Sequence, residues 1–303
     1  MIFSQPLSRV ANRVSQHDFA LDALASEPSS GLPLGDGDLS ASLYGGPGRL
    51  ALGVRKGNVP AGEIVLHFSS HESQPSPRAV SVGEGLTRPP VLLRLYDATA
   101  RIALPDAIEI EAFVAATRNL IVLRIRSQSP LSLPAMLELC HESSIPRYAP
   151  AELLGIDGLP YPRVATESRV SRGGATPHAW HDGPFRYLQQ NLSASLSAVL
   201  CGFVYGARSH SVVRENAVLV TFDVPPSGEC LILVGVATAQ DGPDPALRAR
   251  AEVERALPHG YLLLQREHAV WWERFWETAE SASAAGDVDY RNLYLSRATP
   301  HGV

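Results

Sequence analysis

From Leu39 to about Ala237 apolar and polar residues alternate along the chain. Runs such as "RLALGVRKG", "GEIVLHFSS", "VLLRLYDATARIAL", "AIEIEAFVAATRNLIVLRIRS" and "AVLVTFDVPPSGECLILVGVAT" are separated by Gly, Pro, Asn and Asp. A period of two with turn residues between the runs predicts strands. In "IEIEAFV", Ile108, Ile110 and Ala112 share one face while Glu109 and Glu111 share the other, because successive strand side chains point to opposite faces. That describes half-buried strands of an antiparallel sheet. So many strands in one block, with no helical period between them, predict a large all-β, two-sheet sandwich and speak against a parallel α/β fold.

Two stretches break the pattern. From His141 to about Pro184 the chain is rich in Pro, Gly, Ser and Arg, which predicts a long excursion with little regular structure. After Asp241 the texture turns helical. Asp244 before Pro245 marks a helix start, since proline suits the first helical position. "GYLLLQREHAVWWERFWETAE" then sets Tyr261, Leu264, His268, Trp271, Trp272 and Phe275 three and four apart, on one helical face. Residues 1–240 are expected to form the sandwich and 241–303 a helical linker.

"GLPLGDGDLSASLYGGPGRLALGVRKG", Gly31 to Gly57, surrounds Asp36 and Asp38 with Gly35 and Gly37. A phosphate cradle needs Lys and Ser or Thr directly after the glycines, on a helix; here Leu39 to Tyr44 alternates like a strand. An EF-hand calcium loop needs Glu at its twelfth position, which counted from Asp36 is Pro47. What remains is a tight turn, its Asp side chains bonding backbone amides, before a hairpin bent at "GGPG".

Composition narrows the partners. The 303 residues are 45% hydrophobic and 19% charged, enough for a substantial core. A net charge of -5 without a Lys/Arg block offers no field for a nucleic-acid backbone or an anionic membrane. Cys140, Cys201 and Cys230 are odd in number and lie in apolar segments, as buried thiols do. No signal-peptide pattern follows Met1, and no run reaches the roughly 18 apolar residues of a membrane span. The expected location is cytoplasmic for the chain as written, secreted or periplasmic if its N-terminus is incomplete.

"LPLGDGDLSASLYGG" resembles the "PLGNGxxGAxxxGG" motif that opens the β super-sandwich preceding the (α/α)6 barrel in glycoside hydrolases of the family 95 and family 65 kind. "RLYDATARIAL" with "AFVAATRNLIVLRIRSQSPL" resembles the paired hairpins of that domain, and "HAWHDGPFRYLQQ" its "WYHRNxxSxY" loop. "HAVWWERFW", His268 to Trp276, resembles the linker helix joining sandwich to barrel. There is also a likeness to an uncharacterised N-terminal domain family that sits before such barrels. The resemblance covers most of the chain in the family's order and implies a galactose mutarotase-like sandwich. Asp36 stands where the family has Asn, and the chain stops at Val303, where the barrel would begin. The implied role is a non-catalytic module that braces a barrel and lends a loop to a saccharide site.

Glycoside hydrolysis needs two facing carboxyl groups, about 5 to 9.5 Å apart. Asp36, Asp38, Glu72, Glu84, Glu142 and Asp182 are candidates, but no sequence feature pairs any two of them, and in the resembled enzymes the pair lies in the barrel. No catalytic residue, metal or cofactor is therefore expected in this chain. The candidate saccharide contacts are Trp180, His181, His178 and Tyr187, with Asp36 and Asp38. An indole stacks on a pyranose while imidazole and carboxylate bond its hydroxyls; the competing reading packs Trp180 on the sandwich edge. His178 and His181 lack a third convergent ligand for a metal. "NLS" at Asn191 matches a glycosylation acceptor. Trp271, Trp272, Phe275 and Trp276 form core or interface, so the helix is expected to self-associate or to fold back onto the sandwich. Rival readings are a self-contained aldose mutarotase-like enzyme, with a His/Glu pair on the concave face, and a carbohydrate-binding module.

Overall fold

A computed structural model describes residues 9–46, 48–68, 90–104, 107–141, 177–193, 195–282 and 288–299. Helix α1 (Arg9–Val14) precedes strands β1 (Phe19–Leu21), β2 (Leu32–Gly35), β3 (Leu39–Gly46), β4 (Arg49–Lys56) and β5 (Val59–Phe68). Next come β6 (Val91–Arg94), β7 (Thr99–Leu104), β8 (Ile108–Val114), β9 (Leu120–Ser127) and β10 (Leu133–Cys140). The remaining strands are β11 (His178–Asp182), β12 (Phe185–Asn191), β13 (Ser197–Tyr205), β14 (Ser209–Val213), β15 (Ala217–Val224) and β16 (Glu229–Thr238). Helices α2 (Pro245–Ala256), α3 (Gly260–Ala282) and α4 (Tyr290–Ala298) follow.

The strands form two antiparallel sheets. One has nine strands in the order β1-β6-β7-β8-β9-β16-β13-β12-β11, the other seven in the order β14-β15-β10-β5-β4-β3-β2. Alternation decides which side chains meet between them: Leu43, Leu52, Ile64 and Leu137 from one sheet join Ile110, Leu123, Leu200 and Val234 from the other in a single core. Removing these faces from water is the main stabilising term. The expected inward residues Ile108, Ile110 and Ala112 are all buried there. Cys140, Cys201 and Cys230 are buried free thiols, and burial pushes the last two up to about 12.

The other face of β8 is less polar in its surroundings than its two acids suggest. Glu111 is 4% exposed because α3 crosses this face. Its carboxylate accepts from Arg101 Nη2 (2.9 Å), Arg124 Nη1 (3.3 Å) and Tyr261 Oη (2.8 Å). Burial would raise its pKa, but the Arg101 and Tyr261 hydrogen bonds outweigh that and hold it below the usual value.

Helix α2 starts where Asp244 accepts from the Leu247 amide at 2.9 Å, with Pro245 in its first turn. Ala249, Val253 and Ala256 face Leu233 and Val199 on the outside of the nine-stranded sheet. Helix α3 begins on that outer face through Tyr261 and Leu264 and ends in the main core, where Trp272 and Trp276 join Tyr290 and Tyr294. The buried stripe is Tyr261, Leu264, His268, Trp272 and Trp276, with Trp271 and Phe275 half-buried beside it. Trp276 Nε1 donates to the carbonyls of Leu95 and Tyr96 at 3.1 and 3.2 Å, which satisfies the one polar atom of the ring. The aromatic helix thus folds back and plugs one end of the sandwich. Among the described residues no helix is long and apolar enough to cross a membrane.

Candidate functional site

The Gly-rich turn is a socket for the last helix. Asp36 Oδ1 accepts from the amides of Asp38 (3.0 Å) and Leu39 (2.9 Å), closing the turn on itself. Asp38 departs from the expectation: its carboxylate turns away from the amides to Lys56 Nζ at 2.5 Å. Lys56 is 6% exposed, and its ammonium also reaches Asn119 Oδ1 (3.0 Å) and Asp241 Oδ1 (3.3 Å). Burial opposes its charge, but the Asp38 and Asp241 carboxylates outweigh the penalty and its pKa rises. One cation therefore ties both sheets to the segment leading into α2.

Gly37 has φ 96°, the left-handed conformation that favours glycine. Gly35 does not; it is glycine for space, since an added Cβ would lie 2.4 Å from the Ala298 carbonyl oxygen. The guanidinium of Arg297 lies 5.3 Å from the Trp271 ring centroid, and its Nη1 borders Gly37. Tyr294 Oη donates to the Pro33 carbonyl at 2.7 Å. The turn thus reads the backbone and side chains of α4.

The aromatic candidates lie elsewhere. β11 falls inside the stretch expected to lack regular structure: it is an edge strand paired with β12 through a two-residue turn, Gly183-Pro184, with φ 54° at Gly183. Trp180 pairs with Tyr187, and their rings stack at 4.7 Å and 3°. His178 stacks on Trp180 at 5.2 Å and 20°. Trp180 is half-buried against the outer cluster of the nine-stranded sheet. Burial pushes the Tyr187 phenol up to about 12. His181, two residues from Ala179 of the main core, lies on the opposite face of β11 from the stack and is exposed. Asp182 accepts from Arg250 Nη1 of α2 at 2.7 Å.

These residues do not converge. β11 lies beside β14 and β15, whereas Asp36 and Asp38 follow β2 at the far edge of the seven-stranded sheet. Six strand spacings put them about 25–30 Å apart. Trp180, His178 and Tyr187 form one stack, His181 faces away from it, and Asp36 and Asp38 serve the α4 socket. Glu72, Glu84 and Glu142 lie outside the described residues.

A further polar group sits on the outer face of the seven-stranded sheet. His67 Nε2 is 3.2 Å from Glu138 Oε2, Arg49 Nη2 donates to Glu63 Oε1 at 3.4 Å, and the Cys140 thiol is 3.8 Å from Glu63 Oε2. Glu63 and Glu138 are 0% and 3% exposed. Small residues Ala51 and Ala217 surround them, with Tyr44. Their sequence signal is an acid at an alternating position within an otherwise apolar strand, in "GEIVLHF" and "AMLELC". Burial next to Glu138 and Glu63 pushes the Cys140 pKa well up, Among the described residues no three His, Cys, Asp or Glu side chains are grouped to hold a metal ion.

Two antiparallel sheets face to face, closed at one end by an aromatic helix, define a β super-sandwich. The sequence matches no protein-family model and no curated protein significantly. The fold is similar to that of a protein from the human microbiome whose assignment as a kojibiose phosphorylase is provisional. The TM-score is 0.50 and the identity 10%, over 86% of this chain and 39% of that one. A family GH92 α-mannosidase from Bacteroides thetaiotaomicron gives 0.46 and 9%, over 96% of this chain and 40% of that one. A bacterial glucoamylase solved with acarbose gives 0.43 and 9%, over 85% and 40%. At such identities the likeness is one of fold. The chain spans about 40% of the length of the solved structures it resembles.

Proposed function

We propose that this chain is the sandwich module of a larger carbohydrate-active protein, with residues 1–240 as the sandwich and 241–303 as the linker to a helical catalytic barrel. It is non-catalytic by itself. The observation that carries this reading is that 86% of the chain aligns with only 39% of a longer sugar-acting neighbour. The outward side of α3 supports it. Leu262, Leu263 and Val270 are exposed there, and a hollow of about 360 Å³ is lined by Thr117, Leu263, Arg266, Glu267 and Val270. An apolar patch on a helix whose other face is packed suits a further helical layer. Trp180, His178 and Tyr187 would lend their stack to a saccharide, with His181 at the edge of the same hairpin. The purified chain should release no product from aryl glycosides, or from kojibiose with phosphate. Turnover that disappears when one Asp or Glu of this chain is changed overturns the reading.

One observation favours a second reading, a self-contained sugar enzyme of the aldose mutarotase kind: the His67–Glu138 contact at 3.2 Å on a sheet face, a pairing suited to general acid–base work. Polarimetry of α-glucose decides it. Acceleration of anomer exchange that Glu138→Gln abolishes would establish this reading, and an unchanged spontaneous rate would remove it.

A further inference from the structure

The inner face of the β11–β12 hairpin carries a buried cation. Arg186 pairs with His181 on β11 and with Gly202 on β13, and shares its face with Leu188 of the main core. Gly202 has no side chain, and Leu139 of the facing sheet closes over it: a Cβ there would meet Leu139 Cδ1 at 3.0 Å. The result is an arginine only 8% exposed. Nη1 donates to the carbonyls of Gly183 at 2.7 Å and Phe185 at 3.1 Å. Nε is buried and has no partner, and among the described residues no carboxylate forms an ion pair with this side chain. Burial alone lowers its pKa, with no acid opposing the shift.

Burying an uncompensated charge is costly, and here the cost is concentrated on one edge. The Nη1 edge is engaged by the hairpin turn, which fixes the plane of the guanidinium. The Nε and Nη2 edge is the fork that matches two oxygens of a carboxylate or phosphate. His181, in register on the same face and exposed at the sheet edge, stands where a ligand would enter. We propose that Arg186 and His181 form a binding site for a small oxyanion, taken up as inorganic phosphate or as the carboxylate of an acidic sugar. The site is separate from the Trp180 stack, which lies on the other face of the hairpin, so it stands or falls independently of the saccharide reading.

The test is a titration of the full chain with sodium phosphate and, separately, with sodium glucuronate, chloride holding ionic strength constant. The readout is the Arg186 Nε–H resonance in a ¹H–¹⁵N spectrum, assigned by its absence in Arg186→Met. Either anion should shift that resonance saturably. Binding should weaken about tenfold or more in Arg186→Met, the loss expected for a charge-assisted bidentate contact. A response to phosphate alone identifies the free anion, and a response to glucuronate identifies a sugar-borne carboxylate. If neither moves the Nε resonance at millimolar concentration, or if Arg186→Met binds them equally well, the proposal is wrong. Should the variant fail to fold, saturable movement of the most buried arginine Nε resonance in the wild type still decides the question.

Discussion

Acidification from pH 7 to pH 5 should cost the wild-type chain about 2 kcal/mol of stability that a His268→Asn variant keeps. His268 is 1% exposed on α3. Its Nδ1 accepts the Ala116 amide at 3.2 Å, so the neutral ring carries its proton on Nε2. The ring stacks on Phe113 at 4.6 Å and 19°. Burial depresses its pKa to about 3, against contributions from the Ala98 and Asp97 backbone that favour protonation. The sign follows from proton counting. Between about pH 3 and pH 6.5 the unfolded chain holds a proton on this histidine and the folded chain does not, so stability falls as pH falls through that window. Most of the drop to pH 5 lies below the ordinary histidine pKa of 6.5, and each pH unit there is worth about 1.36 kcal/mol.

Asp18 works in the opposite direction. Burial raises it to about 6, so it contributes stability at low pH that is lost as pH rises between about 4 and 6. That contribution is common to both proteins and drops out of their difference. Asn can offer Oδ1 to the Ala116 amide but leaves a gap over Phe113, which costs about 1–3 kcal/mol at every pH. Guanidinium unfolding at pH 5, 6 and 7, at constant ionic strength, gives the two curves. Parallel curves would refute the reasoning, because they would mean that His268 takes up its proton in the folded chain as readily as in the unfolded one.

Two other variants test the α4 socket and the cation that ties the sheets. Gly35→Ala should destabilise by about 1–3 kcal/mol, since its Cβ would sit 2.4 Å from the Ala298 carbonyl oxygen; Gly46→Ala, with no atom within 4 Å, should be near neutral, and equal melting temperatures for the two would count against the socket. Lys56→Met should lower stability by about 1–3 kcal/mol, a figure discounted for the exposure of Asp38. A double-mutant cycle with Asp38→Asn should give a coupling energy well above zero, and strict additivity would show that the contact contributes nothing.

The strands are legible where one face meets the other sheet and the opposite face is polar, as in β8, because a period of two then survives in the letters. β11 is not, since its five residues "HAWHD" hold one small residue on the core side and place the tryptophan outward. An edge strand has one hydrogen-bonded neighbour and little burial to constrain its composition. Helix α4 is hidden for a related reason: "YRNLYLSRA" buries only Tyr290, Tyr294 and Ala298, a stripe too narrow to stand out from polar sequence.

Site residues are legible by chemical type but not by orientation. His178, Trp180 and His181 are neighbours in sequence, yet strand alternation sends the first two to one face and the third to the other. Reading "HAWHDG" as a loop removes that distinction and groups residues the pleat separates. Arg186 shows the same effect in reverse. A charge in a strand reads as solvent-facing, but Arg186 shares its face with Leu188 and lies in register with Gly202, where the missing side chain admits Leu139. Burial of that arginine is a property of the opposite sheet, set by residues far away in sequence. Local pattern therefore assigns strands, while the burial of a polar side chain within them depends on which sheet lies across the core and on which side chain is missing at the neighbouring position.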